Sequence, residues 1–269
     1  KGLLIGGTLD QLALDPWLTL AKRSPGKGEA LPKVISELRI GQLDIFGKQL
    51  HEMRINANSD GSNWTGQIQS RQGIGSFTYQ TADRGRLQAR LKRLSLPVAD
   101  APAYLPDAEQ AISSYPALDV EIDTLQYKER NVGRLELRAT HRGDTWQIDR
   151  LATVASDGRL EMEGSWSYRA RKPVSRMSVR LTSDNFGKFL ARFGMADTMR
   201  RGGGKLTGQL SWAGAPHQLD VPTMTGALDL EAQSGQFAKV EPGMGRLLAI
   251  VSLQALPKRI TLDFRDVFS

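Results

Sequence analysis

The feature that most constrains the fold is an internal repeat at an offset of 82 residues. The segment LRIGQLDIFGKQLHEMRINANSDGSNWTGQI, which begins at Leu38, aligns without a gap with VEIDTLQYKERNVGRLELRATHRGDTWQIDR, which begins at Val120. Apolar positions coincide along both segments, turn residues coincide, and Trp64 aligns with Trp146. The repeat predicts a supersecondary unit that occurs twice and stacks along an axis.

Within each copy the apolar residues recur with a period of two. Leu38 and Ile40 alternate with polar residues, and so do Leu135 and Leu137 in the second copy. This alternation predicts antiparallel strands with one apolar and one polar face, joined by turns at Ser59–Asn63, His141–Asp144 and Ser156–Arg159. Further strands are predicted at residues 86–94, 159–168, 175–182, 205–212, 225–233 and 259–264.

Helices are predicted at only two or three places. Phe186, Phe189 and Phe193 have helical spacing, with Ser183 or Asp184 as the N-cap and Gly202–Gly204 as the end of the helix. A second helix is predicted over Met244–Ala255, before Pro257. A short helical turn is predicted at Asp107–Ser114.

The patterns divide the chain into four regions. Residues 1–96 form a first β region, 97–119 a connector rich in Pro and Ala, 120–182 a second β region, and 183–269 a region of two helices and strands. A sheet with some dozen one-sided strands has more apolar surface than two or three helices cover. Either the sheet folds on itself as a sandwich or barrel, or its face encloses an apolar ligand that is not protein.

Catalytic, metal and cofactor sites find no support in the sequence. The three histidines, His51, His141 and His217, are each isolated from carboxylate clusters, and there is no cysteine. The RGGGKL segment at 201–206 lacks the spacing of a phosphate loop. The net charge is +7, but the basic residues are dispersed, and only Tyr79 lies near their densest group at residues 84–93, which argues against nucleic-acid binding.

The C-terminal third carries a set of specific motifs. These are GGGKLTGQLSWAGAP, TGALDLEAQSGQF, EPGMGRLLAIVSLQALPKRI and LDFRDVF, within residues 183–269. They resemble the C-terminal region of the YhdP-type proteins in the AsmA-like family, to which TamB is related. The upstream half resembles the family more loosely.

The resemblance implies a lipid conduit. It implies an elongated, curved antiparallel sheet, a half-pipe or β-taco, with an apolar groove that conveys phospholipids from an inner-membrane-anchored protein across the periplasm of a Gram-negative cell. The implied partners are acyl chains, the inner and outer membranes and envelope proteins, and no enzymatic activity is implied. The alternative is a non-catalytic β-sandwich that acts as a scaffold for envelope assembly.

The residues expected to line such a groove are apolar positions of the two repeat copies. They are Leu38, Ile40, Leu43, Ile45, Met53, Ile55, Val120, Ile122, Leu135 and Leu137. A helical cover is expected from Phe186, Phe189, Phe193, Leu247, Leu248 and Val251.

The run Leu247–Pro257 has no charged residue, but it is about half the length that a bilayer-spanning helix needs. We therefore expect it to line or cap the groove rather than to dock on a membrane. The sequence is expected to be a piece of a longer protein.

Overall fold

The computed structural model describes most of the chain. The described residues are 2–13, 33–45, 48–96, 112, 115–169, 172–194, 199–200, 202–217, 219–232, 236–237 and 259–263. They divide into two compact units, residues 1–129 and 130–269. Of the expected helical turn Asp107–Ser114 only Ile112 is described, and the expected helix Met244–Ala255 lies outside the described residues.

The first unit consists of seven strands that are hydrogen-bonded to one another in chain order. They are β1 (Gly2–Ala13), β2 (Lys33–Ile45), β3 (Lys48–Ser59), β4 (Asn63–Gln69), β5 (Gly73–Gln80), β6 (Arg86–Leu96) and β7 (Ala117–Tyr127). β1 is an edge strand. Short turns join β3 to β4, β4 to β5 and β5 to β6, as the Gly, Asp and Ser residues between them favour.

The second unit has the same kind of architecture. Its strands are β8 (Arg130–Arg142), β9 (Thr145–Ala155), β10 (Gly158–Arg169), β11 (Lys172–Ser183), β12 (Met199–Arg200), β13 (Gly204–Ala213), β14 (Thr225–Ala232), β15 (Gln236–Phe237) and β16 (Arg259–Asp263). Among the described residues, β12 pairs only with β15, and the other seven strands are neighbours in the order β8, β9, β10, β11, β13, β14, β16. The prediction of a mainly β chain with repeated strand units is confirmed.

Two strand pairs differ from the antiparallel expectation. β1 pairs with β2 in parallel, and β6 pairs with β7 in parallel. A parallel pair needs a crossover of about a dozen residues or more, because the chain must return to the end from which it started. Residues 14–32 and 97–116 supply that length. Alternation alone does not distinguish the two orientations, since both place successive side chains on opposite faces.

The strand registers reproduce the sequence repeat. Leu9 lies opposite Ile40 in the first parallel pair, and Leu91 lies opposite Ile122 in the second. All four positions obey the offset of 82, so the repeat extends to β1 and β6, which the sequence comparison did not include. The aligned Trp64 and Trp146 likewise lie at matching ladder positions, opposite Ser59 and His141 respectively.

One α-helix, α1 (Phe186–Arg192), lies in the described part of the second unit. Its N-cap is Asn185, whose side chain accepts a hydrogen bond from the Lys188 N–H at 3.0 Å. The expected N-cap at Ser183 or Asp184 is wrong, because the Ser183 hydroxyl instead accepts from the Asn185 N–H at 3.0 Å and shapes the turn before the helix. The helix ends at Arg192 and is followed by Gly194, with φ +91, so the expected end at Gly202–Gly204 is wrong. A short 3₁₀ helix spans Val221–Thr223.

The turn between β3 and β4 is organised by one carboxylate. Asp60 Oδ1 accepts from the N–H groups of Ser62 and Asn63 at 2.9 and 2.7 Å, and Oδ2 accepts from Asn63 Nδ2 at 3.1 Å. The side-chain hydrogen bond from Asn63, followed by the backbone N–H groups, lowers the pKa of Asp60 to about 2. The turn therefore keeps a negative charge throughout the physiological range.

We predict that this turn loosens only in strong acid. Because the folded pKa lies below the ordinary aspartate value of 3.8, the contribution of Asp60 to stability is complete above pH 3.8 and is lost as the pH falls through about 2. An NMR titration should show the Asp60 carboxyl and the Ser62 and Asn63 amides shifting together near pH 2. The Asp60→Asn variant should lack that transition, and a midpoint near 4 in the unmodified chain would contradict the prediction.

Candidate functional site

In the first unit, side chains at matching ladder positions align into rows that run across the strands. One row crosses all seven strands, with each of its members directly opposite the next. Residues directly opposite one another face the same side of the sheet, so the whole row lies on one face. We call it the first apolar row, and it consists of Gly7, Leu38, Ile55, Ile68, Gly75, Leu91 and Ile122. It contains no polar side chain.

A change of phase keeps the predicted residues of β2 on this face. Gly41 and Glu52 are both skipped by the ladder of β2 and β3, and Glu52 has φ +55. Before Gly41 the buried residues of β2 have even numbers, and after it they have odd numbers. Ile40 and Leu43 are therefore both buried although they are three residues apart. The spacing Leu38, Ile40, Leu43 in the sequence is the signal of this shift.

The predicted residues of the first unit fall into two groups by exposure. Ile40, Leu43 and Met53 form a buried cluster, against which Leu38 and Ile55 pack while remaining partly exposed. In β7, Ile122 is buried and Val120 is partly exposed. Ile45 belongs to β2, but its side chain lies outside the described part. The described predicted side chains thus lie on one surface, part of it packed and part of it accessible.

The second unit has a corresponding row. The second apolar row consists of Leu137, Leu151, Met162, Val179, Gly208 and Leu228, which lie opposite one another across six strands. Its members are partly exposed except for Val179, which is 8% exposed. The predicted Leu135 lies in the next row, opposite Thr153. Both predicted residues of β8 therefore belong to the apolar face of this unit.

Helix α1 covers one end of that face. Phe186 and Phe189 are buried against Leu181 and Leu230, and the partly buried Phe193 packs on the same cluster. The rings of Phe189 and Phe193 are 5.4 Å apart between centroids. The remaining residues of the expected cover, Leu247, Leu248 and Val251, lie outside the described residues.

One arginine fixes α1 to the strands beneath it. Arg192 Nε donates to both carboxylate oxygens of Asp157 at 2.8 and 3.1 Å, and its other nitrogens donate to the Asn131 carbonyl at 2.8 Å and the Ser156 hydroxyl at 3.2 Å. The ion pair is largely shielded, with side-chain exposures of 24% and 13%. Such a multiply bonded arginine restrains the helix in one position. This contact could not be predicted from the sequence, because Arg192 and its partners are 35 or more residues apart.

Tryptophans close the other end of the same face. Trp146, Trp166 and Trp212 are buried, and the rings of Trp146 and Trp166 meet edge to face at 6.4 Å. The Trp212 indole N–H donates to the Ala215 carbonyl at 3.1 Å, so its polar atom is satisfied within the fold. These side chains act as packing anchors. Between them and α1 lies the partly exposed second apolar row.

The opposite face of the strands is polar and carries several ion pairs. In the second unit Arg150 contacts Glu136 at 3.2 Å and Glu161 at 3.4 Å, and Arg159 contacts Glu161 at 2.8 Å. In the first unit Arg90 contacts Asp119 at 3.1 Å and Glu121 at 3.5 Å. Each such exposed pair contributes little to stability, but together they make this face unsuitable for an apolar ligand.

The described residues offer no cluster that would bind a metal ion. Nowhere in the described ranges do three or more His, Asp or Glu side chains cluster in a way that would hold a metal ion. In the same ranges, no helix is long and apolar enough to cross a bilayer. The apolar rows themselves offer nonpolar side chains and glycines.

The comparisons with known proteins agree on one family. The sequence model of the family described as YhdP protein matches residues 1–269. The intermembrane phospholipid transporter YhdP of Escherichia coli strain K12 is 26% identical over 137 residues. That alignment covers 51% of this chain and 11% of the relative, so it involves a small part of the longer protein. No solved structure matches the chain.

We predict that Phe189 is the main anchor of α1. Replacing this 1%-exposed side chain in Phe189→Ala should lower the free energy of unfolding by about 3–5 kcal/mol, because it removes buried area and leaves a cavity. Lys188→Ala, at the exposed neighbouring position, should change it by less than about 0.5 kcal/mol. Denaturant unfolding of the two variants measures the difference, and equal losses would contradict the assignment.

Proposed function

Because the chain belongs to the YhdP protein family, we propose that its apolar faces shelter the acyl chains of phospholipids during transport between two membranes. The chain would be a periplasmic segment of a longer, inner-membrane-anchored protein, and its sheet would form part of a half-pipe that leads towards the outer membrane. The proposal draws on the relative named as an intermembrane phospholipid transporter.

The observation that carries the proposal is the first apolar row. Seven consecutive strands present an uninterrupted line of apolar side chains or glycines, and part of that line remains exposed to solvent. A surface of this kind is unfavourable in water unless something covers it. Acyl chains match it chemically, since they need only a continuous nonpolar surface.

The energetics are consistent with a conduit that has no catalytic groups. A phospholipid with roughly 30 acyl methylenes loses about 24 kcal/mol of favourable burial when it enters water, at ~0.8 kcal/mol for each methylene. A nonpolar row that crosses the strands replaces most of this burial at every step of the path. Transport along it requires no bond to be made or broken, so the role that we propose is not enzymatic.

A second function is favoured by the packing of the second unit. Phe189, Trp212 and Ala139 are almost completely buried there, as they would be in a filled protein core. Such a core fits a non-catalytic scaffold for envelope assembly, in which the sheets serve as a rigid spacer. Mass spectrometry of organic extracts from the purified chain separates the two functions. A conduit retains phospholipid in proportion to protein, whereas a scaffold retains none.

We predict that a charge in the first apolar row blocks lipid loading. Ile55→Asp places a carboxylate among Leu38, Ile68 and Met53, so the variant should retain several-fold less phospholipid than the unmodified chain. The matched control is Asn56→Asp, which puts the same charge on the exposed, opposite face of the same strand and should leave the lipid content unchanged. Phospholipid per chain after exposure to liposomes is the measurement.

Leu137→Asp provides an independent variant in the second apolar row. Circular dichroism and thermal melts of all three variants establish which of them are folded. If Ile55→Asp and Leu137→Asp are both folded and retain the full amount of phospholipid, acyl chains do not lie on these rows and the proposed function is wrong.

A further inference from the structure

An aromatic pair terminates the apolar face of the first unit. Trp64 in β4 lies directly opposite Tyr79 in β5, one ladder position from the turn at residues 60–62. The two rings lie on the same face as Ile68, which is four residues from Trp64, or about 13 Å along the strand. Along this face the side chains therefore change from aliphatic to aromatic to the charged Asp60 turn.

The polar atoms of this pair are not used within the described part of the fold. Neither the Trp64 indole N–H nor the Tyr79 hydroxyl has a hydrogen-bond partner among the described residues, and both side chains are partly exposed. Burial raises the pKa of the Tyr79 phenol, so its hydroxyl remains a donor at physiological pH. A half-buried donor gains free energy when an acceptor reaches it.

The repeat supplies an internal comparison. At the corresponding ladder position of the second copy, Trp146 lies opposite Trp166, and both are almost completely buried, with 5% and 3% exposure. Trp212, two strands further, donates to a backbone carbonyl. The second copy thus uses this aromatic position to close its own core, whereas the first copy keeps it accessible. The difference distinguishes Trp64 and Tyr79 from ordinary packing anchors.

Tryptophan and tyrosine are the residues that favour the boundary between hydrocarbon and water. Their rings contact nonpolar chains while their N–H and O–H groups reach the polar layer, where lipid ester carbonyls are the acceptors. Trp64 and Tyr79 reproduce this arrangement on a protein surface, with Ile68 and Ile55 on the aliphatic side and the carboxylate of Asp60 on the polar side.

We propose that Trp64 and Tyr79 form the site that holds the glycerol-ester region of a diacyl phospholipid. The indole N–H and the phenol O–H donate to the ester carbonyl oxygens, and the acyl chains extend over Ile68 and Ile55 towards Met53. The inference rests on the proposed function, since it assigns an orientation to the lipid that the apolar rows shelter. It adds a specificity for ester-linked lipids that an apolar surface alone would not have.

The test compares two lipids that differ only in the acceptor. Liposomes of dioleoyl phosphatidylcholine carry ester carbonyls, and liposomes of the dioleyl diether analogue keep the phosphate and the chains but lack these carbonyls. Lipid retained per chain is titrated for the unmodified chain, Trp64→Phe and Tyr79→Phe, which keep a ring at each site. Tyr127→Phe is the matched control, because it removes a hydroxyl from another partly exposed strand tyrosine of the same unit.

The unmodified chain and Tyr127→Phe should bind the diester lipid more tightly than the diether. Each of Trp64→Phe and Tyr79→Phe should reduce that preference by about fivefold, which is the usual effect of one hydrogen bond. A diester preference that both variants leave unchanged, or equal binding of the two lipids by the unmodified chain, overturns this assignment but leaves the conduit intact. Failure to bind either lipid overturns the proposed function as well.

Discussion

The structure depends on the register that the backbone hydrogen bonds impose between neighbouring strands. The ladder places Leu38 opposite Ile55 and Ile55 opposite Ile68, so that apolar side chains from distant parts of the sequence form one line. A slip of one residue between any two of these strands would turn every apolar side chain of one strand into water. The apolar rows are therefore continuous only while this register holds, and binding to them depends on it as well.

The strand register also accounts for the irregular features of the first unit, namely its two parallel pairs and the phase change in β2 and β3. Within the first unit, each parallel pair keeps apolar residues of its two strands on one side of the sheet, since Leu9 lies opposite Ile40 and Leu91 lies opposite Ile122. The phase change at Gly41 and Glu52 corrects the alternation within a copy. In the first unit, these irregularities therefore help to keep the first apolar row continuous across the strands.

Each of the two apolar rows consists of nonpolar side chains and glycines, with no ionisable or hydrogen-bonding side chain. In the second unit, the second apolar row lies between the buried tryptophans Trp146, Trp166 and Trp212 and helix α1. Arg192 of α1 is bonded to Asp157. Nonpolar surface makes no directional demands, so the acyl chains that we propose as its ligand would be free to move along it. In the first unit, Trp64 and Tyr79 offer hydrogen-bond donors at the margin of the apolar face.

The sequence by itself determined the local features: strands with a period of two, the repeat, and a helix that contains Phe186 and Phe189. It determined them because alternation and spacing are properties of neighbouring residues. Only the tertiary structure decided that two strand pairs are parallel, that Asn185 caps α1, and that Trp146 is buried whereas its counterpart Trp64 is accessible. The parallel pairing and the burial of Trp146 depend on contacts between residues far apart in the chain, which leave no periodic trace in the sequence. The Asn185 cap is a local contact, but Ser183 is not the cap because its hydroxyl donates to the distant Asp157 carbonyl.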